Sequence, residues 1–425
     1  MNTVMKKLNI GFFTLGTWGD IHFLLPLAEK LKSIGHGVKF CTSAMFEDGV
    51  AKKGMDFIAI PPDISKEEVT RLFMETEGEK PEKQAELALS GHLARDIEAR
   101  FDRCMDIMKS CDFAICHPSD WAAQVAAEVS KKPWIQGYPA PVGIPNKKYV
   151  IMGAGPIKMG PLNGAVWKLM KWMFKQSAFK SIIAFGKDRG STRSDLGFFS
   201  MSPYLNLLAT SDNLIPFPEK PQHPTVLTGI WSLPKRDYRM SEEVAAFLDH
   251  EDAPAVVSFG SMGGDEAHGK EAAKIILEAL EKHGMRTIIQ RGWGNLSDAN
   301  ANGNVLFVDY IPHEHLFPHA AFVIHHGGAG VTTNATKAGV PQIVVPHGND
   351  QFFWGDTVNK KGLGSKPVAR TELNVANISE RIGYILENKA TLDRNAKEMA
   401  EKLNREDGLS QAVKAIDEFA EAHLA

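Results

Sequence analysis

The chain has 425 residues, 48 Lys and Arg against 51 Asp and Glu, a formal net charge of −3, and 44% hydrophobic and 23% charged residues. That length exceeds one ordinary domain, and the composition is that of a globular protein, which excludes a disordered chain. The cations are spread along the sequence without a basic tail, so nucleic acid is not an expected partner, and no uncharged apolar stretch of about 18 residues supports a membrane span.

In chain order, the start "MNTVMKKLNIGFFTLGTWGD" puts Lys6 and Lys7 before a very short apolar run with no small-residue cleavage site. It reads as a first strand, Leu8–Leu15, rather than a signal peptide. Next, Ile21, Leu24, Leu25, Ala28, Leu31 and Ile34 recur at helical spacing up to Gly35, a helix stop. A strand at Gly37–Ser43 completes a βαβ unit. Further strands are expected at Asp112–His117, Pro133–Tyr138 and Leu205–Ser211. Cys41, Cys104, Cys111 and Cys116 form no CxxC pair and no zinc-ligand spacing, which points to reduced thiols and a cytoplasmic protein.

One segment breaks the alternation. In residues 163–190, Lys168, Lys171 and Lys175 share one helical face, while Trp167, Met170, Phe174 and Ile182 can line another. Two readings stand: an amphipathic helix covering its own domain, or a basic-aromatic helix in transient contact with a membrane surface or an apolar ligand. The Pro-rich passage Ile215–Asp237 then argues for a linker without regular structure. A second alternation follows, with strands expected at Pro254–Met262, Arg286–Gly292, Asn304–Tyr310, Ala321–His326 and Pro341–His347. The fold class is therefore α/β, with two doubly wound domains: 1–214, a linker at 215–240, 241–400, and a terminal helical segment at 401–425. Ligands of such sheets lie beyond the carboxyl ends of the strands, so both domains can line a cleft between them.

The stretch "AFVIHHGGAGVTTNATKAG" reads as strand, glycine turn and helix. Glycines let the backbone approach a ligand, and the free N–H groups of the helix start form an anion seat suited to a phosphate. There is no GxxxxGK[ST] and no GxGxxG, which disfavours a P-loop or a dinucleotide fingerprint. His313, His315, His319, His325 and His326 invite a metal reading, but no HExxH occurs and adjacent strand residues point to opposite faces, so no metal is expected.

"HHGGAG", then "AGVPQIVVP" and "DQFFWG" resemble the nucleotide-sugar-dependent glycosyltransferases of the GT-B fold, in particular sterol glucosyltransferases and related bacterial enzymes acting on lipids, macrolides and other apolar aglycones. "LGTWGDIHFLLPLAEKLKSIGH", "VLTGIW", "VVSFGSM" and "RGWGNL" extend the resemblance, in the family's order, from Leu15 to Gly355. It implies two Rossmann-like domains, acceptor on the N-terminal one and donor on the C-terminal one, with a last helix crossing back. It also implies inverting transfer of a hexose, glucose first, from a UDP-sugar to an apolar hydroxylated acceptor. The sugar nucleotide is then a co-substrate, with no resident cofactor, and the protein a monomer or weak dimer.

By position, the resemblance makes His325 the diphosphate-contacting histidine, with His326 left as interior filling. Gly328, Ala329, Gly330 and Val331 supply the phosphate-facing loop, and Ser261 stands near the phosphates. Asp350 and Gln351 hydrogen-bond the sugar hydroxyls, while Tyr310 and Ile311 stand at the uracil. Tyr310 replaces the commoner tryptophan, and Thr333 stands where the plant branch has a glutamate. Phe352, Phe353 and Trp354 read equally as core or cleft wall. An acceptor hydroxyl needs a general base. Asp20 in "LGTWGD" matches the base of the bacterial branch, and it also reads as a helix cap. His22 is the alternative base. His117 in "ICHPSDW" is the expected partner of Asp20, with Asp120 as its rival. Acceptor loops are expected at Pro61–Ala94 and Tyr138–Gly190.

Overall fold

The computed structural model describes residues 7–76, 96–146, 150–152, 155–157, 160–176, 179–196, 200–215, 223–234, 237–262, 264–297, 303–348 and 350–424. Parts of both expected acceptor loops and of the linker thus lie outside the described residues, including 77–94 of the first loop.

The N-terminal strands are β1 Asn9–Phe13, β2 Gly37–Thr42, β3 Asp56–Ala59, β4 Phe113–Cys116 and β5 Trp134–Tyr138, followed by a short antiparallel pair, β6 Val150–Met152 and β7 Gly155–Ile157, and then β8 Leu205–Leu208 and β9 Thr225–Leu227. Seven of them form a parallel sheet in the order β3-β2-β1-β4-β5-β8-β9. The second sheet is parallel throughout, in the order β12-β11-β10-β13-β14, from β10 Ala255–Ser258, β11 Thr287–Gln290, β12 Val305–Val308, β13 Phe322–His325 and β14 Gln342–Val344. Helices cover both faces of each sheet, so the central strands are buried throughout: β4, β10 and β13 have every residue buried, with Ser258 and His325 as polar ends of the last two.

Three local features differ from the sequence reading. The helical stretch after β1 is two helices, Trp18–His22 and Leu25–Ser33, with Pro26 accommodated in the first turn of the second. Within the proline-rich passage, Thr225–Leu227 adds an edge strand to the first sheet, where prolines on either side of it cost no ladder bond. The helix before the C-terminal one runs on to Asn404, and the last helix is Gly408–His423, capped by Asp407, whose side chain accepts the Ser410 N–H at 3.0 Å.

That last helix lies on the N-terminal domain. Leu409, Ala412, Ala415, Ile416 and Phe419 join the core formed by β1, β2 and the helix Leu25–Ser33, and Phe419 meets Phe113 edge-on at 5.2 Å. A second apolar cluster joins Ala140, Leu214 and Ile230 to Phe353, Trp354 and Met399, sealing the two domains along one edge. Phe419→Ala should therefore cost about 3–5 kcal/mol, read as a lowered urea midpoint, although the residue follows the whole second sheet in sequence.

Candidate active site

Each sheet reverses its strand order beside its first strand. In the first sheet β1 has β2 on one side and β4 on the other, with Phe13 level with Cys116. In the second, β10 stands between β11 and β13, with Ser258 level with His325. Loops leaving two neighbouring strands there turn apart and leave a crevice. The two crevices open into one cleft of about 2140 Å³ lined by both domains.

On the N-terminal side, the turn after β1 carries Asp20. Thr17 caps the helix Trp18–His22, and Asp20 at its third position reaches back: its Oδ2 accepts the Thr17 N–H at 2.6 Å and the Thr17 hydroxyl at 3.2 Å. Gly16 makes room for this, with φ +143°, and a Cβ there would stand 2.2 Å from Asp20 Oδ2. The loop after β4 carries His117, whose Nε2 lies 3.4 Å from Asp20 Oδ1. His117 Nδ1 accepts the Ser119 N–H at 3.2 Å and lies 2.5 Å from the Ser119 hydroxyl, which itself donates to the Leu15 carbonyl; the tautomer protonated on Nε2 directs its proton at Asp20. Burial pushes the His117 pKa down, against the pull of Asp20, so the pair is a neutral imidazole set against a carboxylate. His117 is 8% exposed and Asp20 31%. Both line the cleft, Asp20 the more openly, and His117 is placed to orient it. Asp20 serves the helix cap and faces the cleft at once.

Asp120 has a different task. It is buried and grips Arg100: the Arg100 Nε–H donates to Oδ1 at 2.9 Å and an Nη2–H to Oδ2, while Asp120 Oδ1 also accepts the Ala123 N–H at the start of the next helix. Arg100, itself 1% exposed, also donates to the carbonyls of Thr14, at 3.0 Å, and of Pro61. Thr14 Oγ1 in turn donates to the carbonyl of Asp20 at 3.1 Å. One guanidinium thus ties the loop of His117 to the turn of Asp20. His22 lies on the cleft wall against Trp18, 4.8 Å between ring centroids, and Trp18 also packs on Phe46.

On the C-terminal side, the helix Ala329–Ala338 starts at Gly328 with no side-chain cap. Gly328, Ala329, Gly330 and Val331 all line the cleft, as does Ser261 beyond β10. The first N–H groups of this helix and its positive dipole end face the cavity. The histidine pair is reversed from the sequence reading. His325, the last residue of β13, is fully buried: its Nδ1 accepts the Gly327 N–H at 3.0 Å and its Nε2–H donates to Gln342 Oε1 on β14 at 2.9 Å. Both nitrogens being used inside the domain, His325 does not face the cleft. The ring that does is His326, whose Nδ1 has no partner among the described residues. Gly328 accommodates it, since a Cβ there would stand 2.5 Å from His326 Nε2. Burial pushes the pKa of His326 down to about 4, and those of His313 and His325 to about 3, so all three are neutral at pH 7.

Asp350 and Gln351 stand side by side at the start of the helix Gln351–Lys360 and both line the cleft. Trp354 Nε1–H donates to Asp350 Oδ2 at 3.0 Å, and Gln351 Oε1 accepts the His347 N–H at 2.7 Å. Phe353 and Trp354 are core, not cleft wall. Burial, together with Asp20 across the cleft, raises the Asp350 pKa to about 6. Tyr310 is 63% exposed on the cleft wall, whereas Ile311 is buried and its carbonyl accepts the Gln290 amide at 2.6 Å. Ile311 itself does not line the cleft, unlike its neighbours Tyr310 and Pro312. Sequence reasoning missed His347: its Nδ1–H donates to the Val345 carbonyl at 2.9 Å, leaving Nε2 an acceptor with no partner among the described residues. Its place three residues before Asp350 was the available signal. Among the described residues no three of His, Cys, Asp and Glu converge to hold a metal ion.

Residues 275–416 match the family described as "Erythromycin biosynthesis protein CIII-like, C-terminal domain". Over 97% of its length the chain is 29% identical to the sterol 3-beta-glucosyltransferase UGT80B1 of Arabidopsis thaliana, covering 68% of that protein. It is 28% identical to the glycosyltransferase GtfC of Amycolatopsis orientalis, with 83% of this chain and 84% of that one covered. The chain has the GT-B fold and is similar to glycosyltransferases over nearly its whole length. The calicheamicin glycosyltransferase CalG4 superposes over 98% of this chain and 99% of its own, with a TM-score of 0.71 at 16% identity. SsfS6 of Streptomyces sp. SF2575, solved with thymidine diphosphate, covers 97% of this chain and 99% of its own, with a TM-score of 0.63 at 17% identity. In this chain the turns after β1 and β4 and those after β10 and β13 form the two walls of one cleft.

Two outcomes follow. Arg100→Met strands a buried Asp120 carboxylate and should cost about 3–5 kcal/mol in urea unfolding; adding Asp120→Leu should restore much of the stability. A carboxylate whose folded pKa is raised destabilises the fold as pH climbs from its ordinary 3.8 through about 6. Asp350→Asn should thus raise the melting temperature relative to wild type above pH 6 and leave it unchanged near pH 4.

Proposed function

We propose that the protein transfers a hexose, glucose first, from a UDP-sugar to a hydroxyl of an apolar acceptor, with inversion and without a metal. The observation that carries this reading is the opposition, across one cleft, of the Asp20–His117 pair and the uncapped helix end at Gly328. A base and an anion seat facing each other is what in-line displacement needs.

In this reading the diphosphate lies on the N–H groups of Ala329, Gly330 and Val331, with His326 in the role first assigned to His325 and Ser261 beside it. A neutral imidazole donates one hydrogen bond to a phosphate oxygen without the cost of a buried cation. The sugar hydroxyls meet the Asp350 carboxylate and the Gln351 amide N–H, a donor-acceptor mixture suited to vicinal diols. Tyr310 stands at the base. The acceptor enters past Ile64, Val69, Leu72, Tyr138, Val142 and Phe174, which line the N-terminal part of the cleft and fall within the expected acceptor loops. Its apolar lining and the names of the plant relatives support a sterol-like or other lipid acceptor.

The acceptor oxygen attacks the anomeric carbon opposite the diphosphate. As the new C–O bond forms, the bond to the β-phosphate oxygen breaks and its electrons leave with UDP. Asp20 takes the hydroxyl proton, and His117 holds the carboxylate in line. The helix end and His326 stabilise the departing charge. The four cysteines are free and buried, which supports a cytoplasmic setting, and the reading gives the protein no resident cofactor.

Asp20→Asn should lower transfer from UDP-glucose at least about a thousandfold, measured with an acceptor panel by mass spectrometry, while the UDP-induced rise in melting temperature persists. Near-normal turnover in that variant would move the base elsewhere. His326→Ala should abolish most of the UDP-induced thermal shift, whereas His325→Ala should chiefly lower the melting temperature of the free protein.

A further inference from the structure

The even spread of charge along the whole chain conceals one uneven stretch. Between Glu128 and Asp188 there is no acidic residue, and the segment holds ten lysines, in a chain whose total is −3. Within it the helix Asn163–Gln176 and the turn before it carry half of the exposed large apolar side chains among the described residues. Leu162, Leu169 and Trp172 are 57%, 56% and 59% exposed, and Met173 lies beside them. Ala165, Leu169, Trp172 and Gln176 share one face, at helical spacing. Lys168 and Lys175 are exposed on its flank, and Lys180 and Lys187 are exposed on the following helix, Lys180–Asp188.

The other side of the helix is anchored. Trp167 and Phe174 are buried in the N-terminal core, with Phe174 stacked on Phe179 at 5.4 Å. The apolar residues facing outward are thus additional to those the fold needs. A cationic rim from an acid-free segment around an exposed Trp-Leu-Met face is the pattern of an interfacial helix on an anionic bilayer. Tryptophan and leucine enter the acyl boundary while the lysine stems extend to the headgroups. A protein surface of mixed charge would not select for this complete absence of carboxylates.

We propose that the face formed by Leu162, Leu169, Trp172 and Met173, with Lys168 and Lys175, docks on an anionic membrane surface. The proposal extends the apolar-acceptor reading above: Phe174, on the inner side of the same helix, lines the acceptor end of the cleft, so a docked protein faces the bilayer close to the entry of an acceptor dissolved in it.

The test is flotation of the full chain with vesicles of phosphatidylcholine alone and of phosphatidylcholine mixed with phosphatidylglycerol. The wild type should float with the mixed vesicles, stay behind with the neutral ones, and be released by high salt. Leu169→Glu/Trp172→Glu and Lys168→Glu/Lys175→Glu should each weaken vesicle binding about tenfold or more, with the UDP-induced thermal shift unchanged as the check that the fold and donor side are intact. Three results would overturn the proposal: wild type that floats with neither vesicle, variants that float like wild type, or a lipid-free dimer that dissociates in Leu169→Glu/Trp172→Glu. Transfer is not read, so loss of the proposed reaction would leave this test standing.

Discussion

A guanidinium only 1% exposed sets the geometry of the N-terminal wall of the cleft. Arg100 meets one carboxylate and two carbonyls, from Asp120, Thr14 and Pro61. These belong to the chain segments that follow β4, β1 and β3. Desolvating such a pair is costly, and an apolar substitute of the same shape can be as stable. What an apolar substitute lacks is direction. Arg100 draws the Thr14 carbonyl toward the loop after β4, and the Asp20 turn follows because Thr14 Oγ1 holds its backbone. The 3.4 Å approach of His117 to Asp20 is thus supported from beneath by a bond network that never touches the cleft.

The two walls solve one problem in different ways. The N-terminal wall ends in a helix whose start is closed by its own side chains, Thr17 and Asp20, and the Asp20 carboxylate is part-exposed to the cleft. The opposite wall ends in a helix whose start is left open at Gly328. The closed start presents negative charge and the open one positive potential. A polarised bond laid between them has its proton-bearing end at the first and its leaving group at the second, which is the direction the proposed reaction runs.

Much of this was legible in the sequence. Parallel strands buried on both faces read as apolar runs, so β1, β2, β4, β10 and β13 stood out, and the glycine turn announced the open helix. Asp20 and His117 could be paired only through the family resemblance; the structure adds that both follow strands at the centre of the sheet order. The histidine pair could not be resolved that way. Which ring turns inward depends on Gln342 of β14, and that partner lies 17 residues on. Arg100 reads as one more polar residue of an amphipathic helix until the sheet brings Thr14 and Asp120 to it. The strand Thr225–Leu227 was masked by the prolines around it, whose effect at a sheet edge differs from their effect in its middle. The acid-free stretch was hidden by averaging charge over the chain.

The chain passes between the domains twice, and the passages touch. Glu406, just before the last helix, accepts from Asn213 at 2.9 Å and from the Ser211 hydroxyl, and a Cβ on Gly408 would stand 2.4 Å from the Ile230 carbonyl. Two tethers bound at one place act as a single double-stranded pivot. Rotation that parts the cleft mouth bends both together, while twist of one domain against the other would have to shear them apart. The two crossings, fastened to each other by Glu406, thus hold the carboxylate on one wall and the open helix start on the other from a single shared edge.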